Sequence, residues 1–231
     1  MSFNFSYPKQ WVSVCLVCFL TILTPLCATN EEEFSQMAQQ EGVSSLVLQG
    51  MIASSHGQYA EAIKDYKKAS QQGDTLGTAY LGALYLSGVG GNQPCKAQPL
   101  LKSVLNKARS NELATLIATA SLFQLLASQS CPASIDPQKL QLSLLRAINA
   151  NGAHIVAKNG YYQQINLDGL DQNMTQHPLR IPYVGACLVA LAGLEARKEQ
   201  QGNFAVAKAL LKKAVQFNTP GAKEALQEMG E

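Results

Sequence analysis

The chain has 231 residues, 47% of them hydrophobic and only 15% charged, which excludes a disordered polyelectrolyte and allows one domain or a short repeat array. The formal net charge is +2, and basic residues form no run longer than a pair, such as Lys67-Lys68 and Lys212-Lys213. That excludes the basic footprint by which nucleic acid is bound, so no nucleic-acid partner is expected.

At the N-terminus, one basic residue, Lys9, precedes the uncharged and mostly apolar stretch Trp11–Leu26. Pro25 ends the apolar run, and the small residue Ala28 precedes Thr29-Asn30-Glu31. This order describes a secretory signal peptide over residues 1–28, cut near Ala28; a retained anchor is the alternative. The run is shorter than the roughly 20 residues of a spanning helix, so no membrane span is expected after cleavage. The Cys15–Cys18 and Ser6–Lys9 spacings fall inside this segment and carry no chemistry in the exported chain. Cys95, Cys131 and Cys187 remain, an odd number, in a compartment where disulfides persist.

Residues 29–42 read as a polar lead-in, mobile or a frayed helix. LVLQGMIASS then reads as a helix with Gly50 inside it. In YAEAIKDYKKA, Tyr59, Ala62, Ile63, Tyr66 and Ala69 form one apolar helical stripe, with charges on the other side. Gly73-Asp74 breaks the chain and supplies a cap for a second, more apolar helix over Thr75–Leu86. Gly88 to Asn92 reads as a loop, and Pro94 as the start of another helix. Residues 165–182, with two prolines and no sustained period, read as an irregular excursion. Residues 221–229 carry Ala222, Ala225, Leu226 and Met229 on one face, as a closing helix would.

One frame recurs. Ala62–Ala69, Ala97–Val104, Leu140–Ala147 and Ala207–Ala214 align, at steps of about 35, about 43 and about 67 residues, and the first two suit a two-helix repeat. Ala62, Ala69, Ala207 and Ala214 hold the packing positions of the frame. Gly82 costs about 1 kcal/mol against alanine inside a helix. Gly50 and Gly193 occupy the same point of their own helices, and Gly160 is a fourth candidate. Close approach of stacked helices at these missing side chains offsets that cost.

AYLGALYLSGVGGNQPCKA resembles the Sel-one-like variety of tetratricopeptide repeat, with its alanine, leucine-glycine, tyrosine, glycine-rich loop and lysine-alanine pair. SHGQYAEAIKDYKKASQQGD and EQQGNFAVAKALLKKA resemble the shorter tetratricopeptide turn. The resemblance covers Gly50–Val104 well and Gly193–Ala214 in part. It departs from patterns that use an early tryptophan, since the only tryptophan is Trp11. The resemblance implies an all-α superhelical solenoid of antiparallel helix pairs, exported by a bacterium to the periplasm or medium. It implies a non-catalytic adaptor holding a protein partner in the groove, with Gln49, Thr78 and Tyr85 as candidate groove residues. A cell-envelope enzyme acting on β-lactams or peptidoglycan, or an inhibitor of one, is the alternative.

In a stacked array, the junctions bearing Cys95 and Cys131 are neighbours, and a disulfide between them would join successive repeats; two separate thiols are the alternative. Cysteine-rich proteins of this repeat type tie the two helices of one repeat instead. Cys187, in an apolar helix, reads as core. His56, His154 and His177 are scattered and make no zinc motif, and the Asp168–Asn173 oxygens lack the spacing of a calcium loop. No serine elbow or phosphate loop is present, so no catalytic residue, metal or cofactor is expected.

Overall fold

The computed structural model describes residues 31–89, 93–107, 111–128, 131, 135–158, 161–196 and 201–230. The signal segment and Gly160 lie outside them. In chain order the elements are α1 (Glu31–Gln40), α2 (Ser45–Ser55), α3 (Tyr59–Gln71), α4 (Thr75–Ser87), α5 (Pro94–Asn106), α6 (Glu112–Ser128) and α7 (Pro137–Ala150). A hairpin, β1 (His154–Lys158) and β2 (Tyr161–Asn166), follows, then α8 (Gly169–Gln176), a 3-10 turn (Pro178–Arg180), α9 (Ile181–Glu195), α10 (Gln201–Gln216) and α11 (Ala222–Glu228). The described residues are therefore mostly helical.

The helices are of two kinds. In α3, α5 and α7 one stripe is buried: Ala62, Tyr66 and Ala69; Ala97, Leu101 and Val104; Leu140, Leu144, Leu145, Ala147 and Ile148. In α4, α6 and α9 nearly the whole circumference is buried, as for a helix with no polar face. α4 packs on α3, α5 and α6; α6 packs on α5, α7 and α9; α9 packs on α7 and α10. The apolar helices thus form an inner row, and the amphipathic ones shield it. Pro178–Glu195 is, among the described residues, the one stretch long and apolar enough to cross a membrane, and 83% of it is buried in the protein.

Helix ends follow local chemistry. Asp74 accepts from the backbone N–H groups of Leu76 and Gly77 at the start of α4, and Gly73 before it has φ +88°. Asp136 does the same for Gln138 and Lys139 at the start of α7, where Pro137 takes the first turn.

Gly50, Gly77 and Gly82 mark close helix contacts, Gly77 against Ala69 of α3. A Cβ on Gly50 would lie 2.5 Å from Tyr66 Cε1 on α3, and one on Gly82 would lie 2.7 Å from Leu101 Cδ2 on α5. Gly193 is buried in α9, where Gly185 is the position set tightly against Thr219. Ala62, Ala69, Ala207 and Ala214 are all at most 1% exposed.

Three segments differ from the sequence reading. The polar lead-in is a helix: Phe34 and Ala38, four residues apart, are both completely buried. Two apolar residues make too short a stripe to stand out from the glutamates and glutamines around them. HIVAK and YYQQIN form an antiparallel hairpin, with Ile155 opposite Ile165 and a bulge after Val156. Asn149 occupies both the N–H and the carbonyl of Ile155, closing that part of the strand edge. The supposed excursion over 165–182 is ordered throughout: the end of β2, then α8, which buries Leu170 and Met174, then the 3-10 turn and the start of α9. Its prolines start elements rather than break them. Pro178 opens the 3-10 turn and Pro182 sits in the first turn of α9, where a missing N–H costs nothing.

Cys95, on the first turn of α5, is bridged to Cys131, with Cα atoms 5.4 Å apart and a sequence separation of 36. The bond ties the start of α5 to the segment between α6 and α7. Replacing both cysteines with alanine is expected to lower the unfolding free energy by about 3 to 4 kcal/mol in urea titrations, the loop-closure term for this separation. Gly50→Ala is expected to cost about 1 to 2 kcal/mol, because crowding of the Tyr66 ring exceeds the gain in helix propensity. A stabilised Gly50→Ala protein in the same titration would show that α2 and α3 can move apart there.

Candidate functional site

The inner row closes on itself through tyrosines. The rings of Tyr66 on α3 and Tyr80 on α4 stack at 5.1 Å, and Tyr183 on α9 meets Tyr80 edge-on at 6.3 Å. The Tyr183 hydroxyl donates to that of Tyr80 at 3.0 Å, and Tyr66 meets Ser54 Oγ at 3.4 Å. Burial pushes all three phenols above the ordinary tyrosine pKa. The contact carries α4 directly to α9, past the intervening α6.

A second cluster surrounds Glu41, which follows α1 and is only 7% exposed. Arg180 donates from Nε to both Glu41 oxygens, at 3.0 and 2.9 Å, and its Nη2 lies 2.7 Å from Oε2. Its Nη1 bonds Asn151 at 3.2 Å and pairs with Glu112. His177 Nδ1 lies 2.9 Å from Glu41 Oε1, and Asn111 donates to the Glu41 carbonyl. Desolvation pulls the Arg180 pKa down, but the bonds and charges of Glu41 and Glu112 more than offset it. Each charged group here meets an opposite charge or a hydrogen-bond partner. The cluster is a clasp joining the ends of α1 and α7 to the starts of α6 and α9.

The candidate groove residues differ in exposure. Gln49 is exposed on α2 and Tyr85 is half-buried on α4. Thr78 is 5% exposed, and its hydroxyl is engaged by the Asp74 carbonyl at 2.8 Å and Ser70 Oγ at 2.9 Å. It therefore faces α3 rather than a ligand. The other polar candidates are engaged or dispersed as well. His56 lies 3.7 Å from Glu31, both exposed, and Asp171 receives Lys213 at 2.7 Å. Cys187 is buried, its thiol donating to the Leu116 carbonyl and pushed up in pKa by burial. Among the described residues no three histidine, cysteine or carboxylate side chains are grouped to hold a metal.

A cleft of about 540 Å³ opens instead on the outside, between α5 and α7 over α6. Leu105, Leu122, Ile135 and Leu140 give it an apolar lining; Lys102, Lys139 and Arg146 give it three cations, and Asp136 one carboxylate. Leu142 lies 54% exposed in it, one of the few large apolar side chains open to solvent. The volume is in the range of ligand sites. The sequence held a signal for it. Leu142 falls at helical spacing between Lys139 and Arg146, on the polar face of α7, but the repeat frame draws the eye to the buried leucines beside it.

Comparison with known protein families, with curated proteins and with solved structures gave no match.

Arg180→Leu is expected to cost about 3 to 5 kcal/mol of stability by leaving Glu41 buried without a cation. The double variant Glu41→Leu with Arg180→Leu is expected to recover most of that loss. Calorimetric unfolding of the set checks both; a harmless single variant would mean the clasp holds nothing together.

Proposed function

We propose that the protein is a non-catalytic adaptor of the bacterial periplasm or secreted fraction. On this reading its helices form a superhelical array of antiparallel pairs of the tetratricopeptide and Sel-one-like kind. The alternation of shielded inner helices with amphipathic outer ones supports the array, as do the short links between α2 and α3 and between α3 and α4. The Cys95–Cys131 bridge supports export, since such bonds persist mainly in oxidising compartments.

The observation that carries the binding role is the α5–α7 cleft, where an exposed leucine stands between cations over an apolar floor. A water-facing leucine in a concave, mixed lining suits a partner's side chains better than it suits solvent. The partner is a protein on this reading, seated on the outer cleft rather than at Thr78.

Immobilised protein is expected to retain a specific partner from envelope extract, identified by mass spectrometry. Leu142→Glu, a change at an exposed position, is expected to lose it at least tenfold without lowering the melting temperature. Retention unchanged by Leu142→Glu would overturn the assignment of the cleft. Turnover of a chromogenic β-lactam or a peptidoglycan fragment by the purified protein would overturn the non-catalytic reading.

A further inference from the structure

Resting on that binding role, we propose that the α5–α7 cleft receives an acidic amphipathic helix. Its two carboxylates lie two helical turns apart, and a leucine-class side chain lies between them.

The recognition rule comes from the spacing on α7. Lys139, Leu142 with Ser143, and Arg146 follow one another at steps of three and four, so they stand along one face. The two cations are separated by about 10.5 Å of helix rise. Leu142 lies between them and is 54% exposed. Across the cleft, α5 presents Lys102, Leu105 and Asn106 at the same steps, and Leu122 of α6 lies beneath.

Charge selects an anionic ligand. Three cations line the cleft against one carboxylate, and that carboxylate, Asp136, already caps α7 through Gln138 and Lys139 backbone N–H groups. Among the described residues neither Lys139 nor Arg146 has an ion-pair partner. Two carboxylates at matching spacing can pair with both ends of the stripe.

Geometry selects a helix over an extended segment. In a helix, residues seven apart return to nearly the same face after two turns, with the third and fourth residues between them. A strand covers the same distance in about three residues, which sends its two carboxylates to opposite faces. A ligand helix can therefore pair with both cations and place one apolar residue on Leu142, all from one face.

The test uses a labelled peptide of about 15 residues, long enough to hold helix on binding, with glutamates seven apart and leucines between. One twin carries lysine for glutamate, and another carries serine for leucine. Fluorescence anisotropy with the purified protein is expected to show the acidic peptide bound about tenfold more tightly than the lysine twin, the scale of two ion pairs. The serine twin is expected to bind more weakly than the parent. Lys139→Glu with Arg146→Glu, both at exposed positions, is expected to reverse the charge preference while circular dichroism stays unchanged. Equal binding of acidic and lysine peptides, or no binding of the acidic one, overturns the proposal. So does full displacement of the acidic peptide by a simple long-chain carboxylate. A concentration-dependent dimer abolished by Leu142→Glu would make a second copy the occupant and overturn it too. If partner retention depends on Leu142 but the peptides show no charge preference, only the helix chemistry fails. If retention ignores Leu142 as well, the adaptor cleft fails with it.

Discussion

Three helices without a polar face set the terms for the rest of this protein. α4, α6 and α9 are apolar around almost their whole circumference, so each has to be covered on every side. A helix buried all round tolerates little space between neighbours, because an unfilled gap forfeits both transfer and packing energy. The remaining elements answer that demand. α3, α5, α7 and α10 lay buried faces on the row, and Tyr80 and Tyr183 join two of its members directly. Glycines occur at close contacts in this packing, such as Gly50 against Tyr66 and Gly82 against Leu101.

Polar groups drawn into such a core need partners of their own. The Arg180 guanidinium meets Glu41, Glu112 and Asn151, so its burial leaves no lone charge. The clasp also fixes how four segments distant in sequence meet, which nonpolar packing alone specifies less sharply. The tyrosine hydroxyls behave similarly, each finding another hydroxyl inside the core. These matched sites stabilise and orient.

The cleft lies on the outside of this core. On α7 Leu140, Leu144 and Ile148 are buried, yet Leu142 faces water between two cations that lack carboxylate partners among the described residues. The disulfide anchors the neighbouring start of α5 to the segment that leads into α7. The proposed binding surface thus lies on the outer helices, away from the inner row that the core is built around.

The sequence by itself determined the local elements whose periods run for several turns. The stripe from Tyr59 to Ala69, the capped start at Asp74 and the closing helix after Gly221 could all be read from residue spacing, because each depends on neighbours within a few positions. Shorter elements escaped. α1 and α8 each bury only two residues, and the strands of the hairpin are five and six residues long, too short for a period to stand out amid helical patterns. Only the tertiary structure decided which polar positions are spent and which are open. Thr78 is taken up by Ser70, Glu41 by an arginine far along the chain, and Leu142 is left exposed. Burial is a property of the neighbours that arrive in space, and helical spacing within one segment does not say which neighbours those will be.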